Sequence, residues 1–269
     1  MKTLKITSIS NPIIKAVVKL RERPSREGGF LIEGPHLLQS ALLSDQRIHN
    51  IFFTSAFSKK SEGRRLLKKA EADNVRLIEV DEALISKISD AVTSQGVAAV
   101  VDMPAISLAG ITLSALPLIV VCDGLQDPGN LGTIIRTADA AGADAVVLLS
   151  GCCNPYNPKS VRSTAGSIFN IQVVSSSVSE FIDYALSGGI SICCSSARGS
   201  MSVFEADLLK PLAMVFGSEA HGIDESIVSA AGFSVAIPMQ GGTESLNVAS
   251  SAAVCLYEAV RQRLYMLEK

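Results

Sequence analysis

The chain has 269 residues, 48% hydrophobic and 19% charged, with a formal net charge of −2. That length accommodates one large or two modest domains, and the composition excludes both a disordered chain and a collagen-like repeat. Mean hydropathy is +0.34, yet the longest uncharged stretch, Met103 to Cys122, is broken by Pro104, Gly110 and Pro117 and reads as a linker entering a buried strand, so no membrane span is expected.

The first residues, MKTLKITSISNPIIKAVVKL, lack the uninterrupted apolar core of a secretory signal, which predicts a cytoplasmic protein. Up to residue 110 there are 16 Lys+Arg against 12 Asp+Glu, and thereafter 8 against 14. A basic first part on an acidic body fits a phosphate-contacting domain joined to one with another task. The cluster Lys15, Lys19, Arg21, Arg23 and Arg26 leans the same way, toward nucleic acid. From Glu33 onward EGPHLLQSALLS is helical in period, IHNIFFT strand-like, GRRLLKKAEA helical, VRLIEV a strand, DEALISKIS helical and VAAVV a strand. The alternation predicts an α/β unit ending near Asp102. MPAISLAGITLSALP then reads as a linker, giving domains at residues 1–105 and 117–269 around a connection at 106–116.

The second part carries the runs PLIVVC, AVVLL, ISICC, LAMVFG and FSVAIP. Near-continuous apolar strands are buried on both faces, which predicts a parallel sheet with helices on each side. Ligands bind at the carboxyl ends of such strands, here the loops after Cys122, Cys194, Phe216 and Ile237. From Ser245 to about Leu267, Leu246, Ala249, Ala253, Leu256, Val260 and Leu264 recur at helical spacing, enough for a helix roughly 35 Å long that packs on its own sheet and has room for a partner subunit. Six cysteines, Cys122, Cys152, Cys153, Cys193, Cys194 and Cys255, form no CxxC pattern and read as buried thiols, so no metal is expected.

Three loops carry candidate chemistry. In DGLQDPGNLGTIIRTADAAG, Asp123 to Gly142, a turn at Pro128–Gly129 leaves Asn130 placed to cap a helix with Ile134, Ile135 and Ala138 inward. Arg136 lies on the other face, where it holds a phosphate or ribose or pairs with Asp139. In VFGSEAHGI, Val215 to Ile223, two glycines permit close backbone approach and Glu219 either anchors the Asn130–Arg136 side or faces water. In IPMQGGTESLNVASSAAV, Ile237 to Val254, Glu244, Ser245 and Asn247 stand at the start of the long helix, with Thr243 or Ser245 as its expected cap.

In this order and spacing, over residues 117–260, the three loops resemble the SpoU (TrmH-type) branch of the SPOUT RNA methyltransferases, which move a methyl group from S-adenosylmethionine to a ribose 2′-hydroxyl. FLIEGPHLLQSAL and ISDAVTSQGVAAVV, within residues 30–102, resemble the substrate-binding domain that precedes the catalytic domain in many ribosomal-RNA members. The resemblance implies a small N-terminal α/β RNA-binding domain and a mostly parallel-sheet SPOUT domain with a C-terminal trefoil knot, an exception to the general absence of knots. It implies Asn130 and Arg136 as the catalytic pair, Glu219 orienting them, and Ser245 and Asn247 on the ribose side. It implies a cofactor pocket at Ser196, Ala197, Gly217, Ile237, Met239 and Leu246, and an RNA contact by Arg162; the basic cluster adds Lys15, Lys19 and Arg21 as RNA contacts, and the guanidinium chemistry of Arg136 adds that residue. A homodimer is implied, with large-subunit ribosomal RNA favoured over tRNA. A tRNA methyltransferase and a non-catalytic RNA-binding or assembly protein on the same fold are the other readings.

Ser218, Ala220 and His221 depart from the family pattern, which often has Asn and Gly there, and His221 reads as a loop residue rather than a base. Methyl transfer needs an oxygen nucleophile in line with the S–CH₃ bond. A guanidinium keeps its proton in proteins, so Arg136 is assigned to stabilising the developing alkoxide and clamping phosphate.

Overall fold

A computed structural model describes residues 3–91 and 93–267. In chain order its elements are β1 (Leu4–Lys5), α1 (Pro12–Glu22), β2 (Phe30–Glu33), α2 (Pro35–Leu43), β3 (Ile48–Phe53), α3 (Ser55–Lys59), α4 (Ser61–Ala72), β4 (Arg76–Glu79), α5 (Glu82–Ile88) and β5 (Val97–Val101). There follow β6 (Leu118–Asp123), α6 (Pro128–Ala140), β7 (Ala145–Leu148), α7 (Pro158–Ser163), β8 (Gln172–Ser175), α8 (Val178–Ser187), β9 (Ser191–Ser195), β10 (Met201–Ser202), β11 (Leu212–Gly217), α9 (Glu225–Ala230), β12 (Phe233–Ala236) and α10 (Val248–Leu267). They form two compact units, the first running to Ala105 and including Asn154–Phe169, the second comprising Ile106–Cys153 and the chain from Asn170 onward.

In the first unit the described strands order β1-β4-β3-β5-β2, with β1, β4 and β3 parallel and β5 antiparallel to both its neighbours. Alternating apolar residues make its core, where Ile14 and Val17 of α1 and Ile85 of α5 cover Phe52, Ile78 and Ala98 of the sheet. Glu33 fastens the loop after α5: its carboxylate accepts from the Ser89 hydroxyl and, at 3.3 Å each, from the Asp90 and Ala91 N–H groups. Sequence grouped 154–169 with the second domain; in the structure this segment packs in the first unit. Aromatic burial is the reason: Phe30 meets Tyr156 at 5.0 Å and Phe169 at 6.1 Å between ring centroids. Burial pushes the Tyr156 hydroxyl up to about 12.

The second unit is a sheet ordered β10-β12-β9-β11-β6-β7-β8 among the described residues, with every pairing parallel. Every residue of β6 is buried, as a strand covered by helices on both faces requires. The stretch expected as a simple linker is anchored instead: Leu108 and Ile111 are buried in this unit's core, and Ser114 and Leu118 donate their N–H groups to the Asp144 carboxylate at 2.7 and 2.8 Å. The closing helix α10 starts at Val248, three residues later than periodicity predicts, and packs on α6. Its buried stripe is Val248, Ala249, Ala252, Cys255, Leu256 and Ala259, whereas Leu264, at the far end of the apolar stripe, is 58% exposed. Arg263 ties this helix to the sheet by donating to the carbonyls of Leu116, Pro117, Leu208 and Lys210 at 2.8–3.3 Å. No helix among the described residues is long and apolar enough to cross a membrane.

Candidate active site

Because β6, β9, β11 and β12 are all parallel, the loops that follow them leave one end of the second unit's sheet. The first returns through Gly124, whose φ of +64° lies in the left-handed region. Asp127, not Asn130, caps α6: its side chain accepts the Asn130 N–H at 2.8 Å, and Pro128 occupies the first helical position, where a missing N–H costs nothing. Asn130 is therefore inside the first turn with its amide released from capping. That amide donates from Nδ2 to Glu219 Oε1 at 3.1 Å and accepts at Oδ1 from Asn247 Nδ2 at 3.0 Å.

Asn247 completes the chain of bonds. Its Oδ1 accepts the Ala249 N–H at 2.9 Å, so Asn247 caps α10 in place of Thr243 or Ser245. One directional relay thus runs from the N-terminus of α10 through Asn247 and Asn130 to the Glu219 carboxylate, joining the three loops through side chains. The loop bearing Glu219 is closed by a bond from Gly222 N–H to the Ser218 carbonyl at 2.9 Å and by Gly222 at φ +72°. A Cβ on Gly217 would stand 2.2 Å from the Gly222 carbonyl oxygen, so this position requires glycine.

Sequence reasoning missed Asp123. At 8% exposure its Oδ2 accepts the Asp224 N–H at 2.7 Å, fastening the far end of the Glu219 loop to the end of β6. The only signal for it in the sequence is an Asp–Gly pair closing an apolar strand, which equally marks an ordinary turn.

Beside the relay lies a cavity of 540 Å³ lined by Ser196, Ala197, Gly217, Ile237, Met239 and Leu246, together with Glu219 and Ser245. The residues implied for the cofactor thus line one cavity, and its volume is that of a small-molecule site. His221 also lines it, with its backbone N–H on Ser218 Oγ at 3.1 Å. Arg136 is exposed on α6 and makes no hydrogen bond or ion pair among the described residues; Asp139, the partner considered for it, accepts from Asn170 at 3.1 Å. Arg162 belongs to the first unit, where it pairs with Asp90 at 2.8 Å while its Nη1 is buried without a partner among the described residues. Lys15, Lys19 and Arg21 line a surface cavity on α1, and Arg21 also donates to the carbonyls of Lys87 and Ser89 at 2.9 and 3.1 Å.

Burial raises the Cys194 and Cys255 thiols to about 11 and that of Cys193 further, which removes them as nucleophiles at neutral pH. No group of three His, Cys, Asp or Glu among the described residues is arranged to hold a metal.

The chain is similar to known proteins over nearly its whole length. Residues 117–257 match the SpoU rRNA Methylase family and residues 11–99 the MRM3-like substrate binding domain. The 23S rRNA (guanosine(2553)-2′-O)-methyltransferase RlmP of Bacillus subtilis is 33% identical over 94% of this chain and 97% of its own. The 23S rRNA (uridine(2479)-2′-O)-methyltransferase of Streptomyces viridochromogenes is 30% identical over 93% of this chain and 88% of its own. The structure of an AdoMet-bound rRNA methyltransferase from Sinorhizobium meliloti superimposes with a TM-score of 0.87 at 30% identity, covering 97% of this chain and 98% of that one. With a family match over more than half its length and relatives aligned nearly end to end, this chain belongs to the SpoU rRNA methylase family.

Proposed function

We propose that the chain transfers a methyl group from S-adenosylmethionine to the 2′-hydroxyl of a ribose in large-subunit (23S) ribosomal RNA. The observation that carries this reading is the Glu219–Asn130–Asn247 relay at the edge of the 540 Å³ cavity. A nucleoside-sized ligand with an amino-acid tail fits a cavity of that volume, bordered by glycine-containing loops and by both acidic and basic side chains. Bound there, S-adenosylmethionine supplies an electrophilic methyl group on a sulfonium.

The protein's residues do the rest. Gly217, Ile237, Met239 and Leu246, with Ser196 and Ala197, hold the cofactor. Asn130 and Asn247 each retain one amide hydrogen outside the relay, which positions the ribose oxygen, and Ser245 adds a hydroxyl on the same side. Arg136, without an ion-pair partner among the described residues, stabilises the developing alkoxide and holds the adjoining phosphate, and the 2′-hydroxyl proton leaves late in the transfer, to that phosphate or to water. Arg162, Lys15, Lys19 and Arg21 extend the RNA contact over the first unit, in keeping with its match to a substrate-binding domain.

The same reading includes a trefoil knot in the catalytic domain, a cytoplasmic location where ribosomal RNA is made, and a homodimer. Exposed Tyr257 and Leu264 on α10 favour the dimer, and sedimentation equilibrium is expected to give about twice the 28.3 kDa chain mass. The decisive experiment is transfer of labelled methyl from S-adenosylmethionine to separated ribosomal RNA and tRNA from cells lacking the protein. Label is expected as 2′-O-methylribose in 23S RNA and absent with Arg136→Ala. Label in tRNA alone makes the chain a tRNA enzyme; cofactor binding without label in either RNA makes it a binding or assembly protein.

A further inference from the structure

S-adenosylmethionine carries three charges: a sulfonium and an ammonium, both positive, and a carboxylate. A wall that recognises it must answer one anion and two cations. Among the described residues lining the cavity, the acidic and basic side chains besides His221 are Arg198, Glu219 and Glu244, one guanidinium and two carboxyl groups. Glu219 already accepts from Asn130. The guanidinium of Arg198 makes no hydrogen bond or ion pair among the described residues, although two carboxylates share its cavity.

The backbone that presents Arg198 is fixed. Its own N–H donates to Ser196 Oγ at 3.2 Å and the Gly199 N–H to the Ser196 carbonyl at 3.1 Å, closing a tight turn after β9. A Cβ on Gly199 would be 2.2 Å from the Val235 carbonyl carbon, so the turn lies directly on β12. Ser200 then bonds Ser234 twice, N–H to Oγ at 3.0 Å and Oγ to the carbonyl at 2.9 Å. A pinned turn that presents an unpartnered guanidinium to a cavity offers a charged donor to an anion without first breaking an internal ion pair.

We infer that Arg198 binds the carboxylate of the cofactor's methionyl end and thereby selects ligands carrying the intact amino acid. The inference rests on the reading of this cavity as the S-adenosylmethionine site, and extends it to a residue outside the family motifs. Glu244, the remaining carboxylate of the wall, is the counterpart for the ammonium.

The test is calorimetric titration of the full-length protein with two probes, S-adenosylhomocysteine and 5′-methylthioadenosine, which lacks the amino acid. Arg198→Met is expected to weaken S-adenosylhomocysteine about tenfold or more, the scale of a lost charge-assisted bond, while 5′-methylthioadenosine stays within about twofold. Arg198→Lys is expected to fall between, keeping the charge and losing the planar fork. Unchanged S-adenosylhomocysteine binding by Arg198→Met overturns the inference. So does equal weakening of both probes, which makes Arg198 a shaper of the cavity. A variant that keeps S-adenosylhomocysteine affinity but loses affinity for ribosomal RNA assigns the guanidinium to phosphate and likewise overturns it. If the unaltered protein binds neither probe, the cofactor reading itself fails.

Discussion

Asn130 and Asn247 each commit one carbonyl and one amide hydrogen to a neighbour, so neither side chain can flip without breaking two bonds. The relay therefore has a fixed polarity that ends on the Glu219 carboxylate. Asn130→Asp replaces the donor facing Glu219 by a second carboxylate, turning a 3.1 Å hydrogen bond into a repulsion. A fall in kcat of roughly 10²-fold is expected, with S-adenosylhomocysteine affinity in the calorimeter close to the unaltered protein's. By spacing alone Asn130 reads as the α6 cap, because Ser, Thr, Asp and Asn are interchangeable in that role. The neighbouring Asp127 takes it, since Pro128 must be the first helical residue. Three loops of interest were legible from their glycines and polar residues. The bonds between them, and the buried carboxylate of Asp123, depend on register across the sheet, which no local spacing encodes.

At the scale of elements, the long apolar runs announce themselves: PLIVVC, ISICC and LAMVFG supply β6, β9 and β11 because short, near-continuous apolar runs suit strands buried on both faces. The two-residue strands β1 and β10 have too few positions to show any period. α10 begins after Asn247 rather than at Ser245 because Thr243, Ser245 and Asn247 are all cap-competent residues, and Asn247 is the one that accepts the Ala249 N–H. Arg263 is what holds its far end, with four carbonyls otherwise left without this donor. Arg263→Met keeps the aliphatic stem and removes the donors, with an expected loss of about 1–3 kcal/mol. Thermal unfolding checks it: Tm should drop by several degrees, whereas substitution of Leu186 on α8, 60% exposed, by Ser should leave it almost unchanged.

For the whole molecule, four buried thiols set an alkaline limit. Burial raises Cys122, Cys193, Cys194 and Cys255 above 9.0, the ordinary thiol value. A group whose folded value is raised contributes stability that is complete below its unfolded value and is lost as pH climbs past it. Tm is therefore expected to decline from about pH 9 upward, with a shallower decline in Cys194→Ala, measured against the unaltered protein at the same pH values. The strand order has a consequence in time rather than in energy. β6 ends at Asp123, but its neighbour β11 begins only at Leu212, and the first unit is incomplete until Phe169 has been made. A ribosome thus releases an interior strand of one sheet, and the last piece of the other, long before β6 has both its neighbours. Contacts so distant along the chain slow folding toward the millisecond-to-second range, and they leave β6 as the segment most exposed to mispairing during synthesis.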